Sequence, residues 1–403
     1  MATISLPTTR IPQISRVQTI GLVVGVIGIL LLVAGFFVDQ EEFLRAYLFG
    51  FYYVMSLPIG CLGALMVYNL VSGTWGLTTR RLLEAGALTW PIMGILFIPI
   101  LLGVFNVFGH EQWLYHWADP VEVASDPILL HKSPWINPLF YTIRAVIYFV
   151  VFSTIAFLLR SWSLAQDRTA DLKYAKRMHI LSGVGVPLFV IGVTFIAFDW
   201  TMSLDPHWYS TMYGAHYMVS SVLTTLAFLV IILSQLRTAD GFKDFYTMRA
   251  IHDLGKLMLA FTILWTYMSF SQYVIIWSGD IAEFTPWFLT RTQNGWQYFV
   301  YALIGLSFFL PFFALVSRTN KQDVNRLASV AALIMVVRLI DVTWVVLPNF
   351  HESVAELSWI DFAAPVGLLG IWIALFTWNV QRAPIIPLND PNMADLLMNK
   401  GHH

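Results

Sequence analysis

The chain has 403 residues, of which 58% are hydrophobic and 12% charged, and its net charge is −1. Charge at about half the roughly 25% typical of soluble domains excludes water as the solvent for most of the sequence, and no nucleic-acid partner is expected. A single cysteine, Cys61, excludes an iron–sulfur cluster held by this chain alone.

A bilayer core about 30 Å thick takes roughly 20 mostly apolar residues per helix, and ten such runs are present. The first, 20–38, follows Arg10 and Arg16 and ends in Asp39, Gln40, Glu41 and Glu42 without a small-residue cleavage site, so it is expected to be a retained helix. The others are 46–71, 87–108, 136–159, 180–198, 212–236, 257–277, 295–316, 327–347 and 362–380, and seven of the ten hold no Asp, Glu, Lys, Arg or His. Strand alternation is absent and long runs are apolar on every face, which points to helices satisfying their own backbone and not to a closed barrel. The expected fold is all-α, with a segment 1–19, a ten-helix membrane domain 20–380 carrying an outer loop 110–135, and a tail 381–403.

Eighteen of the 23 basic residues fall in segments that would share the side of the N-terminus, and three, Arg45, Lys132 and Arg291, fall opposite. The positive-inside rule then predicts a multi-pass inner-membrane protein with both termini cytoplasmic. The outer loops are acidic and aromatic, and 110–135 reads as a folded cap near the headgroups.

Ionisable residues at depth are costly in a bilayer and mark candidate sites. Toward the outer side these are Arg144, Asp199, His216, Arg338, Asp341 and Asp361. Toward the inner side they are His179, His252, Asp253 and Lys256. The seventh run between them carries Thr262, Thr266, Tyr267, Ser269, Ser271, Gln272 and Tyr273. Asp199, His216, His252, Asp253, Lys256, Tyr267, Gln272, Arg338 and Asp341 therefore form a candidate proton path, histidine being able to exchange protons near neutral pH. Two other readings stay open: Arg338 and Asp341, three residues apart, as an ion pair that fixes packing, and the hydroxyls and amides as helix-to-helix hydrogen bonds. With one histidine inside a run, bis-histidine haem is disfavoured, and no nucleotide-binding motif appears. Neither a metal site nor a catalytic residue is expected.

The stretch from Phe198 to Gly214, FDWTMSLDPHWYSTMYG, is similar to the signature of the ActF subunit of bacterial alternative complex III, within the NrfD and polysulfide-reductase membrane-subunit family. Asp253 to Lys256 (DLGK), Ser271 to Trp277 (SQYVIIW), and Asp126 to Lys132 (DPILLHK) with Asn137 agree with it. The resemblance implies two four-helix bundles, helices 2–5 and 6–9, flanked by helices 1 and 10. It also implies a cofactor-free subunit of a quinol:electron-acceptor oxidoreductase. Haem c, iron–sulfur clusters and the quinol would then sit in partners: multihaem cytochrome c subunits, an iron–sulfur subunit and a sister quinol-binding membrane subunit. The acceptor would be cytochrome c or a blue-copper protein. Proton translocation coupled to menaquinol or quinol oxidation is the expected task, with a structural scaffold as the rival. A quinone-binding subunit and a secondary transporter rank lower, since Pro58, Pro91, Pro99, Pro187 and Pro311 show no repeat pairing.

Overall fold

The computed structural model describes residues 11–109, 113–239, 242, 246–387, 389–391 and 393; Arg10, His110, Lys243 and Lys400 lie outside them. Among the described residues all regular structure is helical, and ten helices are long and apolar enough to cross a membrane. They are α1 (Pro12–Val38), α2 (Gln40–Val71), α3 (Thr74–Val104), α4 (Pro138–Thr169), α5 (Leu172–Trp200), α6 (Met212–Leu236), α7 (Met248–Gly279), α8 (Gln297–Val316), α9 (Val324–Val346) and α10 (Trp359–Gln381).

All ten apolar runs coincide with helices, but several helices begin well before them. The helix of the predicted 87–108 starts at Thr74, as the amphipathic helical piece Thr74–Ala87 that contains Arg80, Arg81 and Glu84. Hydropathy detects only the stretch that tolerates hydrocarbon, whereas a helix continues as long as its backbone bonds are made. Proline sets the internal breaks. Pro91 and Pro99 open the α3 pieces Trp90–Leu96 and Ile98–Val104, where a missing N–H costs nothing.

Helices α2 and α6 occupy the centre. α2 packs on α3, α5, α6 and α10; α6 packs on α2, α5, α7 and α9; further neighbours include α3–α4, α3–α7, α3–α10, α4–α5, α7–α8 and α8–α9. The central crossing is tight: the rings of Tyr52 and Tyr217 stack with centroids 3.9 Å apart, and the Tyr217 hydroxyl donates to the Tyr52 carbonyl at 2.8 Å. Helix α1 lies mainly on α10. There Gly21, Gly25 and Gly28 face Gly367 and Gly370, and a Cβ on Gly28 or Gly370 would collide with the opposing backbone. Lipid tails supply no hydrophobic drive between helices, so such close backbone approach and its dispersion contacts hold the pair together.

The face at which α1 ends and α2 begins is called here the acidic face, and its opposite the basic face. Of the predicted loop 110–135, residues 113–135 are described, and they are folded. Tyr115 and Trp117 are buried, and the Tyr115 hydroxyl donates to the Trp200 carbonyl at 2.8 Å.

Candidate functional site

The sequence of α7 places its buried residues Ile251, Leu254, Met258, Thr262 and Trp265 on one stripe of three-and-four spacing. One turn further on, Ser269 meets His216 of α6, with Nε2 and Oγ 3.1 Å apart. The Ser269 hydroxyl donates its hydrogen to the Trp265 carbonyl at 3.0 Å, so its lone pairs face the imidazole and favour the tautomer with Nε2 protonated. That leaves Nδ1 as a proton acceptor. Beside it, Asp341 Oδ2 of α9 accepts from Trp265 Nε1 at 3.3 Å and from Arg338 Nη1 at 3.1 Å. The Arg338 guanidinium lies 4.0 Å over the Trp265 ring and donates also to Ser307.

Ser307 reaches Arg338 from a π-helical turn, Leu303–Phe309, in the middle of α8. Pro311 has no N–H to offer the carbonyl four residues earlier, that of Ser307 itself, so the hydrogen-bond ladder slips there. Arg338 and Asp341 are 2% and 3% exposed, and Arg338 Nε is buried without a partner among the described residues. A cavity of about 20 Å³ adjoins them, bounded by Tyr52, Tyr213, His216, Ser220, Arg338 and Asp341. It has room for about one water, and the Ser220 hydroxyl, buried without a partner among the described residues, faces it.

On the other side of His216 and Asp341 lies a cleft of about 720 Å³ between α7, α8 and α9, walled mostly by aromatic and aliphatic side chains. Tyr267 and Gln272 line this cleft and do not join the buried cluster. Tyr267 is 63% exposed.

Asp199 belongs elsewhere. Its carboxylate takes two parallel bonds from Arg144, at 2.8 and 2.7 Å, and a third from the Tyr148 hydroxyl at 2.8 Å. Arg144 is held in turn by the Trp135 carbonyl and lies against the Trp135 and Phe140 rings. With its lone pairs filled by a bidentate arginine, Asp199 ties α4 to α5 in a site separate from His216.

On the basic face Asp253 accepts from Thr74 Oγ1 at 3.0 Å and pairs with Lys256 at 3.3 Å, and His252 beside them is half-buried. From Asp253 to Thr262 is nine residues, about 14 Å of helix, and the intervening buried positions Leu254 and Met258 are apolar. The structure brings together His216, Arg338 and Asp341, and separately His252, Asp253 and Lys256. The buried side chains between the two groups are apolar.

No family model matches the chain, and no curated protein matches it significantly. Two of the sequence blocks singled out above nevertheless meet in space. Asp126 caps the helix Pro127–Lys132 and lies 2.6 Å from His207 Nε2, while Lys132 donates to the Pro206 carbonyl at 2.5 Å. Backbone N–H groups of that helix, and then His207, hold the Asp126 carboxyl below its usual range, and burial holds the Lys132 amine below its own. These bonds knit the acidic-face cap to the turn between α5 and α6.

The basic-face network of Arg80, Arg81, Glu84, Arg160, Asp167 and Asp390 was missed as a site, its arginines having been read only as markers of sidedness. Glu84 accepts from Arg80 Nε (3.1 Å), Arg81 Nη1 (2.6 Å), Arg160 Nη1 (2.8 Å) and Ser163 Oγ (2.5 Å). Arg80 further binds Asp390, and Arg81 binds Asp167. Arg80, Arg81 and Glu84 at i, i+1 and i+4 were the available signal.

Proposed function

We propose that this chain is the ActF-type, cofactor-free membrane subunit of a bacterial quinol:electron-acceptor oxidoreductase, and that it handles protons for the complex. The observation that carries this reading is the buried assembly of His216, Ser269, Trp265, Asp341, Arg338 and Ser307 around a water-sized cavity. It unites a titratable imidazole with a free Nδ1, a carboxylate and a polar cavity, in apolar runs that hold no Asp, Glu, Lys, Arg or His besides His216, Arg338 and Asp341. In this reading the chain is oriented with both termini in the cytoplasm, so the basic face is inner and the cluster lies on the outer half of the inner membrane. Helices α2–α5 and α6–α9 form two four-helix bundles, flanked by α1 and α10. Protons enter at His252, Asp253 and Lys256 and leave past His216 and the Arg338–Asp341 pair, and Asp199 serves packing. The redox groups, haem c and iron–sulfur clusters, belong to the multihaem and iron–sulfur partners, and the sister membrane subunit oxidises the quinol.

The 720 Å³ cleft favours a second reading, a quinone or quinol held in this chain, because an apolar cleft with His216 and Asp341 at its end suits a ring carrying polar oxygens on a long apolar tail. Both readings are tested in the intact complex reconstituted in vesicles, with quinol oxidation and charge movement recorded together. His216→Phe that assembles normally is expected to lower the charge moved per electron if the cluster conducts protons, and to lower turnover with an altered quinol KM if the cleft binds the quinol. Unchanged values for both leave the scaffold role. A chain that purifies without multihaem cytochrome or iron–sulfur partners in mild detergent overturns the assignment to the complex.

A further inference from the structure

Glu42, His351 and Asp361 converge on the acidic face from three separate places in the chain. Glu42 lies in the first turn of α2, Asp361 in the first turn of α10, and His351 just after the turn Leu347–Asn349. All three are buried, at 8%, 5% and 3% exposure. His351 Nε2 stands 3.4 Å from Glu42 Oε1 and 3.7 Å from Asp361 Oδ2, and the three candidate ligand atoms all lie within 4.8 Å of one another.

Two of the polar atoms here have no hydrogen-bond partner among the described residues: His351 Nε2, which points between the carboxylates, and Asp361 Oδ1. The rest of the site is well ordered. Ser358 donates its N–H to Asp361 Oδ2 at 3.0 Å and its hydroxyl to Glu42 Oε1 at 3.0 Å, fixing both carboxylates at helix N-termini that favour their negative charge. Orphaned buried groups beside fixed carboxylates are expensive unless something completes their coordination.

We propose that Glu42, His351 and Asp361 bind a divalent transition-metal ion, zinc being the best match, which staples α2 to α10 and to the connection between α9 and α10. One imidazole nitrogen and two carboxylate oxygens suit zinc, which accepts both donor types and takes water in a fourth position. Tetrahedral ligands at about 2.1 Å are about 3.4 Å apart, which the 3.4 and 3.7 Å spacings from His351 already approach, and rotation of the carboxylates, whose ligand oxygens lie within 4.8 Å of each other, would close the third. Glu356 Oε2 lies 3.8 Å from His351 Nδ1, beyond hydrogen-bond reach but near enough to favour a proton on Nδ1, which would leave Nε2 as the ligand atom. The staple joins the start of the central helix α2 to the α10 end of the glycine-packed α1–α10 pair.

The test uses the full chain purified in detergent without chelator, with zinc chloride as the probe and elemental analysis as the readout. About one zinc per chain is expected, falling at least about tenfold in His351→Gln. EDTA is expected to lower the midpoint of thermal unfolding, and zinc to restore it. Both chains keep the terminal His402 and His403, so binding at the tail cancels in the comparison. A wild type that binds no more zinc, manganese or iron than His351→Gln, with both monodisperse, overturns the proposal. Should that variant not be recovered, zinc-edge X-ray absorption on the wild type decides. One imidazole with oxygen neighbours supports the site, and a shell of several histidines overturns it.

Discussion

Replacing Glu84 with Gln tests whether the network at the base of α3 stabilises the fold or merely decorates it. Glu84 is 2% exposed and its carboxylate receives bonds from three guanidinium groups and Ser163. At an effective dielectric of about 20, each charge pair near 4 Å is worth about 4 kcal/mol before desolvation, which cancels most of that sum. What does not cancel is the consequence of removing one partner. Arg80, Arg81 and Arg160 would then face only Asp167 and Asp390, leaving one buried positive charge uncompensated. The expected loss is about 3–5 kcal/mol, as for other broken buried pairs. Stability is measured by SDS titration in mixed micelles. The double variant Glu84→Gln with Arg160→Met restores charge balance and should recover about half of the loss, less the bond from Arg160 to the Asn379 carbonyl. A single variant within about 0.5 kcal/mol of wild type, or a double variant less stable than the single, would refute the electrostatic account.

Gly28→Leu forces α1 away from Gly367, and the chain should become protease-sensitive in its first helix while α2–α9 stay folded; full resistance in limited proteolysis would show that the glycine contact does not hold α1. Cys61 is fully buried between α2 and α3, so maleimide should label it only after SDS denaturation, and rapid labelling in mild detergent would contradict the packing.

Each helix was legible because its run of apolar residues exceeds what any water-exposed element would carry. Sites were legible only in part, because a sequence shows which residues are costly in a membrane but not which neighbour meets the cost. Arg338 and Asp341 are close in the chain, and their pairing could be read from spacing. Arg144 and Asp199 are 55 positions apart, and their bidentate bond needs the α4–α5 contact to exist first. For the same reason the sequence grouped Asp199 with His216, whereas in space its carboxylate meets Arg144 and Tyr148. Tyr267 was chosen for its hydroxyl, yet it sits on the side of α7 turned away from α6, which a helical count from Trp265 and Ser269 would have shown. Glu42 stood out only as one of the acids that end the first run, and His351 not at all, because their shared site depends on a connection folding back over the start of α2.

The choice between a proton path and a scaffold narrows to the apolar stretch of α7. Between Asp253 and Thr262 a chain of hydrogen bonds about 2.8 Å long would need about four waters to span about 14 Å, and Leu254 and Met258 occupy the buried stripe there. Thr262 is the polar foothold at the far end: it is fully buried, and its hydroxyl has no partner among the described residues. A hydroxyl with no partner weakens the packed state by about 1–3 kcal/mol, so Thr262→Val should be neutral or stabilising if the residue only packs. Waters entering the stripe during turnover would find that hydroxyl as their first fixed partner. The Val variant would then lower the charge moved per electron in the reconstituted complex while its thermal stability stays equal or rises. Stability and conduction are thus expected to move in opposite directions, which a packing defect cannot imitate. An unchanged charge-to-electron ratio in a stable Thr262→Val complex would reject conduction along α7 and leave the buried cluster at His216 and Asp341 to serve the outer half alone.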